Sequence, residues 1–131
     1  MWLDEEIPET RERARTATLV VEDDPDVREC MLLALGRHGQ DADAAGTLLE
    51  GLAKLTPEAR WLVLDLSLPD GDGAALLRYV RENRWGVKVA VVTGFDDGAA
   101  LADVALLKPD GFFLKPVGLS EVAALVAGHV P

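Results

Sequence analysis

The chain has 131 residues, 49% of them hydrophobic and 27% charged, which fits one globular domain and is too short for two independent cores. A net charge of -10 argues against a nucleic-acid surface, because phosphate backbones require clustered Lys and Arg rather than an acidic excess, so no direct nucleic-acid binding is expected of this domain. Cys30 is the single cysteine, which rules out an intrachain disulfide. With no apolar run near the roughly 18 residues of a membrane span and no signal-peptide pattern, the expectation is a cytoplasmic protein with no membrane contact.

Residues 1–16, "MWLDEEIPETRERART", mix acids, arginines and a proline with few apolar positions and read as a solvated extension or linker. Residues 17–131 form the domain. From Ala17 onward, short β-branched runs alternate with stretches whose apolar residues recur at helical spacing. Strands are predicted near 17–22, 40–44, 60–65, 87–92 and 111–114, and helices near 25–37, 46–55, 73–83, 97–107 and 119–127. Asp24 suits a cap before Pro25 at the first helical position, and Gly39 suits a stop. Cys30 is assigned to core packing on an apolar helix face, whereas His38 and His129 stand at helix ends and serve the dipole or solvent. Asp70 and Asp72 read as turn residues before the third helix, and Asp97 as the start of the fourth. The last helix is followed almost at once by "HVP", so no output domain is expected within this sequence.

The alternation implies an α/β fold, a doubly wound five-stranded parallel sheet with helices on both faces. "QDADA" carries two aspartates and little bulk, so it belongs at a sheet edge. Four strands run into polar residues: the first into Glu22 and Asp23, the third into Asp65, the fourth into Thr93 and the fifth into Lys115. In a parallel sheet these ends lie along one edge, where open α/β sheets bind ligands. Three carboxylates about 5 Å apart repel by roughly 3 kcal/mol per pair at an effective dielectric near 20, so the cluster needs a cation. Hard oxygen ligands in small number suit Mg²⁺, which commonly shares its shell with a phosphate. Asp65 is then a plausible nucleophile toward phosphorus, with Lys115 and the Thr93 hydroxyl beside it.

The pieces "LVVEDDPDVRE", "LVLDLSLPDGDG", "VAVVTGF" and "GFFLKPV", in that order over residues 17 to about 128, resemble the receiver domain of two-component response regulators. That resemblance implies a flavodoxin-like sheet of order 2-1-3-4-5 and a phosphorylation-dependent switch. Asp65 would be the phospho-acceptor, supplied by a sensor histidine kinase or a histidine phosphotransfer protein. Asp23 and Asp65 would ligate Mg²⁺ by side chain, Ser67 by its backbone carbonyl and Glu22 through water. Thr93 would bond the phosphate, Lys115 would pair with it, and Phe112 would be the aromatic that swings inward as Thr93 moves. Lys115–Pro116 would be a cis peptide. The positions that tune phosphoryl lifetime are here Ser67 and Phe95, and bulky Phe95 with short Ser67 points to slow hydrolysis. Lys108 and Pro109 stand where the family usually has small residues and glycine. The alanine-rich fourth helix, with the fifth strand and fifth helix, is expected to dock a second copy or an output partner.

Two other readings compete. A phosphatase working through an aspartyl-phosphate usually needs a second aspartate two residues after the nucleophile, and Ser67 stands there. A receiver-like module that binds without phosphorylation sits poorly with an intact acceptor, acidic pair, Thr93 and Lys115.

Overall fold

In the computed structural model the described residues are 17–94 and 98–128; the extension 1–16, Phe95, Asp97 and His129 lie outside them. The elements are β1 (Ala17–Val21), α1 (Pro25–Arg37), β2 (Asp41–Ala45), α2 (Leu48–Lys54), β3 (Trp61–Leu64), α3 (Ala74–Glu82), β4 (Lys88–Thr93), α4 (Gly98–Leu106), β5 (Gly111–Leu114) and α5 (Leu119–Ala127). Between β3 and α3 a two-residue hairpin pairs Ser67–Leu68 with Gly71–Asp72, antiparallel, a feature the sequence reading took for turn alone. The five strands are all parallel in the order β2-β1-β3-β4-β5. Parallel neighbours require crossovers, and each is supplied by the intervening helix.

Alternation along the strands splits the core in two. Leu19 and Val21 of β1, Leu62 and Leu64 of β3, and Val89 and Val91 of β4 face α3, where Leu76, Leu77 and Val80 meet them. Val20, Val63, Ala90 and Val92 point the opposite way, onto Met31 and Leu35 of α1 and Val122, Ala123 and Val126 of α5. Both sheet faces are therefore dry, which is why β1, β3 and β4 read as continuous apolar runs. Truncating Leu62 or Leu64, both fully buried, to Ala would cost about 2–5 kcal/mol.

Local chemistry sets the helix ends. The Asp24 carboxylate accepts from the Asp26 and Val27 amides while Pro25 opens α1. At α2, Thr47 Oγ1 accepts from Glu50 N–H at 3.0 Å and Glu50 Oε1 accepts in return from Gly46 N–H at 2.7 Å. His38 stands at the C-terminus of α1, its Nδ1 3.1 Å from the Ala34 carbonyl.

The edge strand β2 carries exposed Asp41 and Asp43, as its composition predicts. Lys54 Nζ donates to the Ala44 carbonyl at 2.7 Å and pairs with Asp43 at 3.3 Å, so one acceptor on this rim is occupied. Cys30 corrects an expectation: it is exposed rather than part of the core. The buried residues of α1 are Met31 and Leu35, four apart, and Cys30 stands off that stripe beside Val27, Pro116, Val117 and Leu119 in an apolar groove.

Candidate functional site

The strands deliver their terminal residues to one cleft. β1 ends at Val21 and β3 at Leu64, in register with each other. One residue further, Glu22 N–H still donates to Ala45 O at 3.0 Å and Asp65 N–H to Val21 O at 2.9 Å. Both acids are thus fixed by the last hydrogen bonds of the ladder, after which the chain leaves the sheet. Their side chains are almost fully buried, Glu22 at 5% and Asp65 at 4% exposure, whereas neighbouring Asp23 is exposed.

Glu22, Asp23 and Asp65 each place one carboxylate oxygen within 4.8 Å of the others. Lys115 Nζ enters from the end of β5 and bonds Glu22 Oε1 at 2.9 Å and Asp65 Oδ2 at 3.1 Å. The second oxygen of each buried acid is also engaged. Glu22 Oε2 accepts from Asp24 N–H, and Asp65 Oδ1 accepts from Ser67 N–H, both at 3.1 Å. Arg28 Nη1 donates to the Glu22 carbonyl at 2.8 Å, which places a second cation behind the acidic loop. The cleft above these groups, about 440 Å³, is lined by Glu22, Asp23, Asp24, Asp65, Ser67, Leu68, Pro69, Gly94 and Lys115.

Electrostatics follow the geometry. Burial drives the Glu22 carboxyl from 4.5 to about 7; the bonds from Lys115 and Asp24 oppose that rise, and the Asp65 charge adds to it. Burial acts to lower the Lys115 ammonium, but its hydrogen bonds and charge contacts with Glu22 and Asp65 outweigh it and hold the group above the usual lysine range. One lysine against three carboxylates leaves the cluster net negative. An all-oxygen donor set with that excess of charge suits a small hard divalent cation, so the residues present fit Mg²⁺.

Thr93 is buried at the end of β4, and its carbonyl accepts from Lys115 N–H at 2.7 Å, so threonine and lysine share one backbone link. The Lys115–Pro116 peptide is cis. Phe113 packs into the α1/α5 cluster, which leaves Phe112 on the outer side of β5, 41% exposed. The structure therefore brings Glu22, Asp23, Asp65, Ser67 and Lys115 into one cleft with Thr93 joined to it, and sets Phe112 apart at the sheet rim.

Three contributions escaped the sequence reading. Arg28 stands inside "LVVEDDPDVRE" but had no role assigned to it. Asp72 does accept from Ala74 N–H at 2.9 Å in the turn before α3, but Asp70 reaches back to the first turn of α2. Gly73 lies against the Asp65 backbone, where a Cβ would overlap the Asp65 carbonyl oxygen. A glycine at the last position of "DGDG" was the available signal for that close approach.

A five-stranded parallel sheet of this order, with an acidic cleft and a lysine at its carboxyl edge, has the architecture of a flavodoxin-like receiver. The chain belongs to the response regulator receiver domain family, whose model matches residues 18–127. It is 38% identical over 112 residues to the transcriptional regulatory protein PmrA of Pectobacterium parmentieri, covering 82% of this chain and 49% of that one. It is 36% identical over 117 residues to the response regulator protein PilR of Pseudomonas aeruginosa, covering 87% and 26%. The chain thus spans half or less of these relatives. Among solved structures, a response regulator receiver protein from Pseudomonas putida superposes with a TM-score of 0.76 at 31% identity, covering 88% of this chain and 98% of that one. A CheY-like receiver domain protein from Methanospirillum hungatei gives 0.76 at 28%, covering 86% and 91%. Membership of this family makes the chain a phosphorylation-dependent switch of two-component signalling. No helix among the described residues is long and apolar enough to cross a membrane.

Proposed function

We propose that Asp65 is the phospho-acceptor, loaded from a histidine of a sensor kinase or of a histidine phosphotransfer protein. The observation that carries this reading is the convergence of Glu22, Asp23 and Asp65 on one cleft with Lys115 bonded to the two buried acids. Asp23 and Asp65 would hold Mg²⁺ by side chain, Ser67 by its carbonyl and Glu22 through water. When bound, the ion supplies positive charge against the transferring oxygens. An Asp65 oxygen attacks phosphorus as the donor's P–N bond breaks, the electron pair leaving with the imidazole, which takes up a proton. Lys115 then exchanges Asp65 Oδ2 for a phosphoryl oxygen, and the Thr93 hydroxyl donates to another. Because Lys115 and Thr93 share a backbone hydrogen bond, their rearrangement is coupled, and Phe112 moves inward into space that Thr93 leaves.

The chemistry is confined to this domain's own phosphorylation and dephosphorylation, without turnover of an outside substrate. Ser67, in place of a second acid, and Phe95, outside the described residues, favour slow loss of the phosphoryl group. The output surface is α4, β5 and α5, where Leu106, Phe112 and Leu114 are exposed and apolar, suited to a second copy or an output partner.

The test is incubation with Mg²⁺ and a small acyl phosphate, read by intact mass. One added phosphoryl group that persists for minutes and disappears in Asp65→Asn is the expected result. An unlabelled wild type refutes the acceptor assignment; release of many phosphates per protein refutes the switch in favour of a hydrolase.

A further inference from the structure

We infer that Asp70 is a positioning residue for the metal cleft: by gripping the first turn of α2 it holds in place the hairpin that carries Ser67. The inference rests on the proposed Mg²⁺ site and adds a residue to it. Asp70 Oδ1 accepts from Leu48 N–H at 2.7 Å and Oδ2 from Leu49 N–H at 2.9 Å, across 22 and 21 residues of chain. These are the first two amides of α2, which no intrahelical carbonyl can satisfy. The helix's own cap does not reach them, because Thr47 Oγ1 serves Glu50 N–H. Asp70 is exposed, yet its carboxyl lies below the usual aspartate range because the Leu49 and Leu48 amides donate to its charged form.

The grip is connected to the cleft by a short path. Gly71, at φ +154, sits so close to the same helix that a Cβ there would stand 2.9 Å from Leu48 Cδ2. The hairpin pairs Leu68 with Gly71 and Ser67 with Asp72, so its tip and its cleft end move together. Ser67 N–H in turn holds Asp65 Oδ1 at 3.1 Å. The segment just before α2 also passes close to the opposite wall. A Cβ on Gly46 would stand 2.9 Å from Arg28 Nη1, the atom that donates to the Glu22 carbonyl. Asp70 is therefore the side chain that fastens the Ser67 side of the cleft.

The experiment is calorimetric titration of the full chain with Mg²⁺, comparing wild type, Asp70→Ala, Asp70→Asn and Thr47→Ala, with folding checked by circular dichroism. Asp70→Ala is expected to weaken Mg²⁺ binding on the order of tenfold, the scale of a lost outer-sphere support. Asn, with one acceptor oxygen where Asp has two, recovers part of that loss. Thr47→Ala removes a cap from the same helix without releasing the hairpin, and its Mg²⁺ affinity stays at the wild-type value. Equal affinity in Asp70→Ala and wild type overturns the inference, as does an equal loss in Thr47→Ala. A wild type that binds no Mg²⁺ and takes no phosphoryl group on Asp65 overturns the site itself; a wild type that does both while Asp70→Ala matches it overturns only the role of Asp70.

Discussion

Replacing Glu22 by Gln should stabilise the metal-free domain, and only above a definite pH. Glu22 titrates at about 7 in the folded protein against 4.5 as its ordinary value, chiefly because the carboxylate is buried. The folded state therefore binds a proton that the unfolded chain has lost between those two values, and stability falls as pH rises through that window. At roughly 1.4 kcal/mol per tenfold in proton affinity, the ionised side chain costs the fold about 3 kcal/mol above pH 7. That cost already includes the bond from Lys115; Gln has one acceptor oxygen where Glu22 uses two, toward Lys115 and Asp24 N–H, and losing one costs about 1–2 kcal/mol, so the net gain is about 1–2 kcal/mol at pH 8. For a domain of this size that is a rise of roughly 3–7 °C in Tm. Urea unfolding of both proteins in EDTA at pH 5 and pH 8 measures it: the variant should lead at pH 8 and lose its advantage at pH 5. A difference that is the same at both values, or a variant weaker at pH 8, would refute the argument that desolvation governs Glu22.

Thr18 offers a second gain. Its Oγ1 is buried in β1 with no hydrogen-bond partner among the described residues, so isosteric Thr18→Val should raise stability by about 1 kcal/mol, seen as a higher urea midpoint at unchanged m. Lys108 holds φ at +51 in the turn after α4, while Arg81 bonds its carbonyl at 2.8 Å and that of Leu107 at 3.0 Å. Lys108→Gly relieves the backbone and keeps both bonds, and thermal unfolding should show about 0.5–1 kcal/mol of added stability. Gly73→Ala should cost about 1–3 kcal/mol and slow phosphoryl labelling of Asp65, the proposed acceptor, since the new methyl group displaces that residue's own carbonyl. Labelling at the wild-type rate would show that the backbone there gives way freely.

How much of this the sequence discloses depends on whether the determinant is periodic, local or distant. The apolar runs of β1, β3 and β4 and the stripes of α1 and α5 repeat at their elements' own periods, so their positions are recovered within a residue or two; helices 25–37 and 119–127 are matched to the residue. The convergence of Glu22, Asp23, Asp65, Thr93 and Lys115 is legible for the same reason, because a parallel sheet collects strand ends whatever their separation in sequence. The second helix, expected over 46–55, begins at Leu48 because Gly46 and Thr47 are spent on its cap. Asp70 could not be read: its partners are backbone amides, which leave no mark on residue identity, and they lie more than twenty positions away. Cys30 misled because α1 alternates small and apolar residues around more than one side, so the buried stripe through Met31 and Leu35 emerges only when α5 and the sheet are placed against it.

The two rims of the sheet are finished differently. At β2 a lysine and exposed aspartates occupy the border strand, whereas at β5 Phe112 and Leu114 leave apolar surface open. If the β5 flank docks a second copy, as proposed above, association would stop at two copies, because the β2 rim offers no second apolar side to extend a chain. Crowding many copies around a single source of signal would then yield pairs in exchange with monomers rather than filaments.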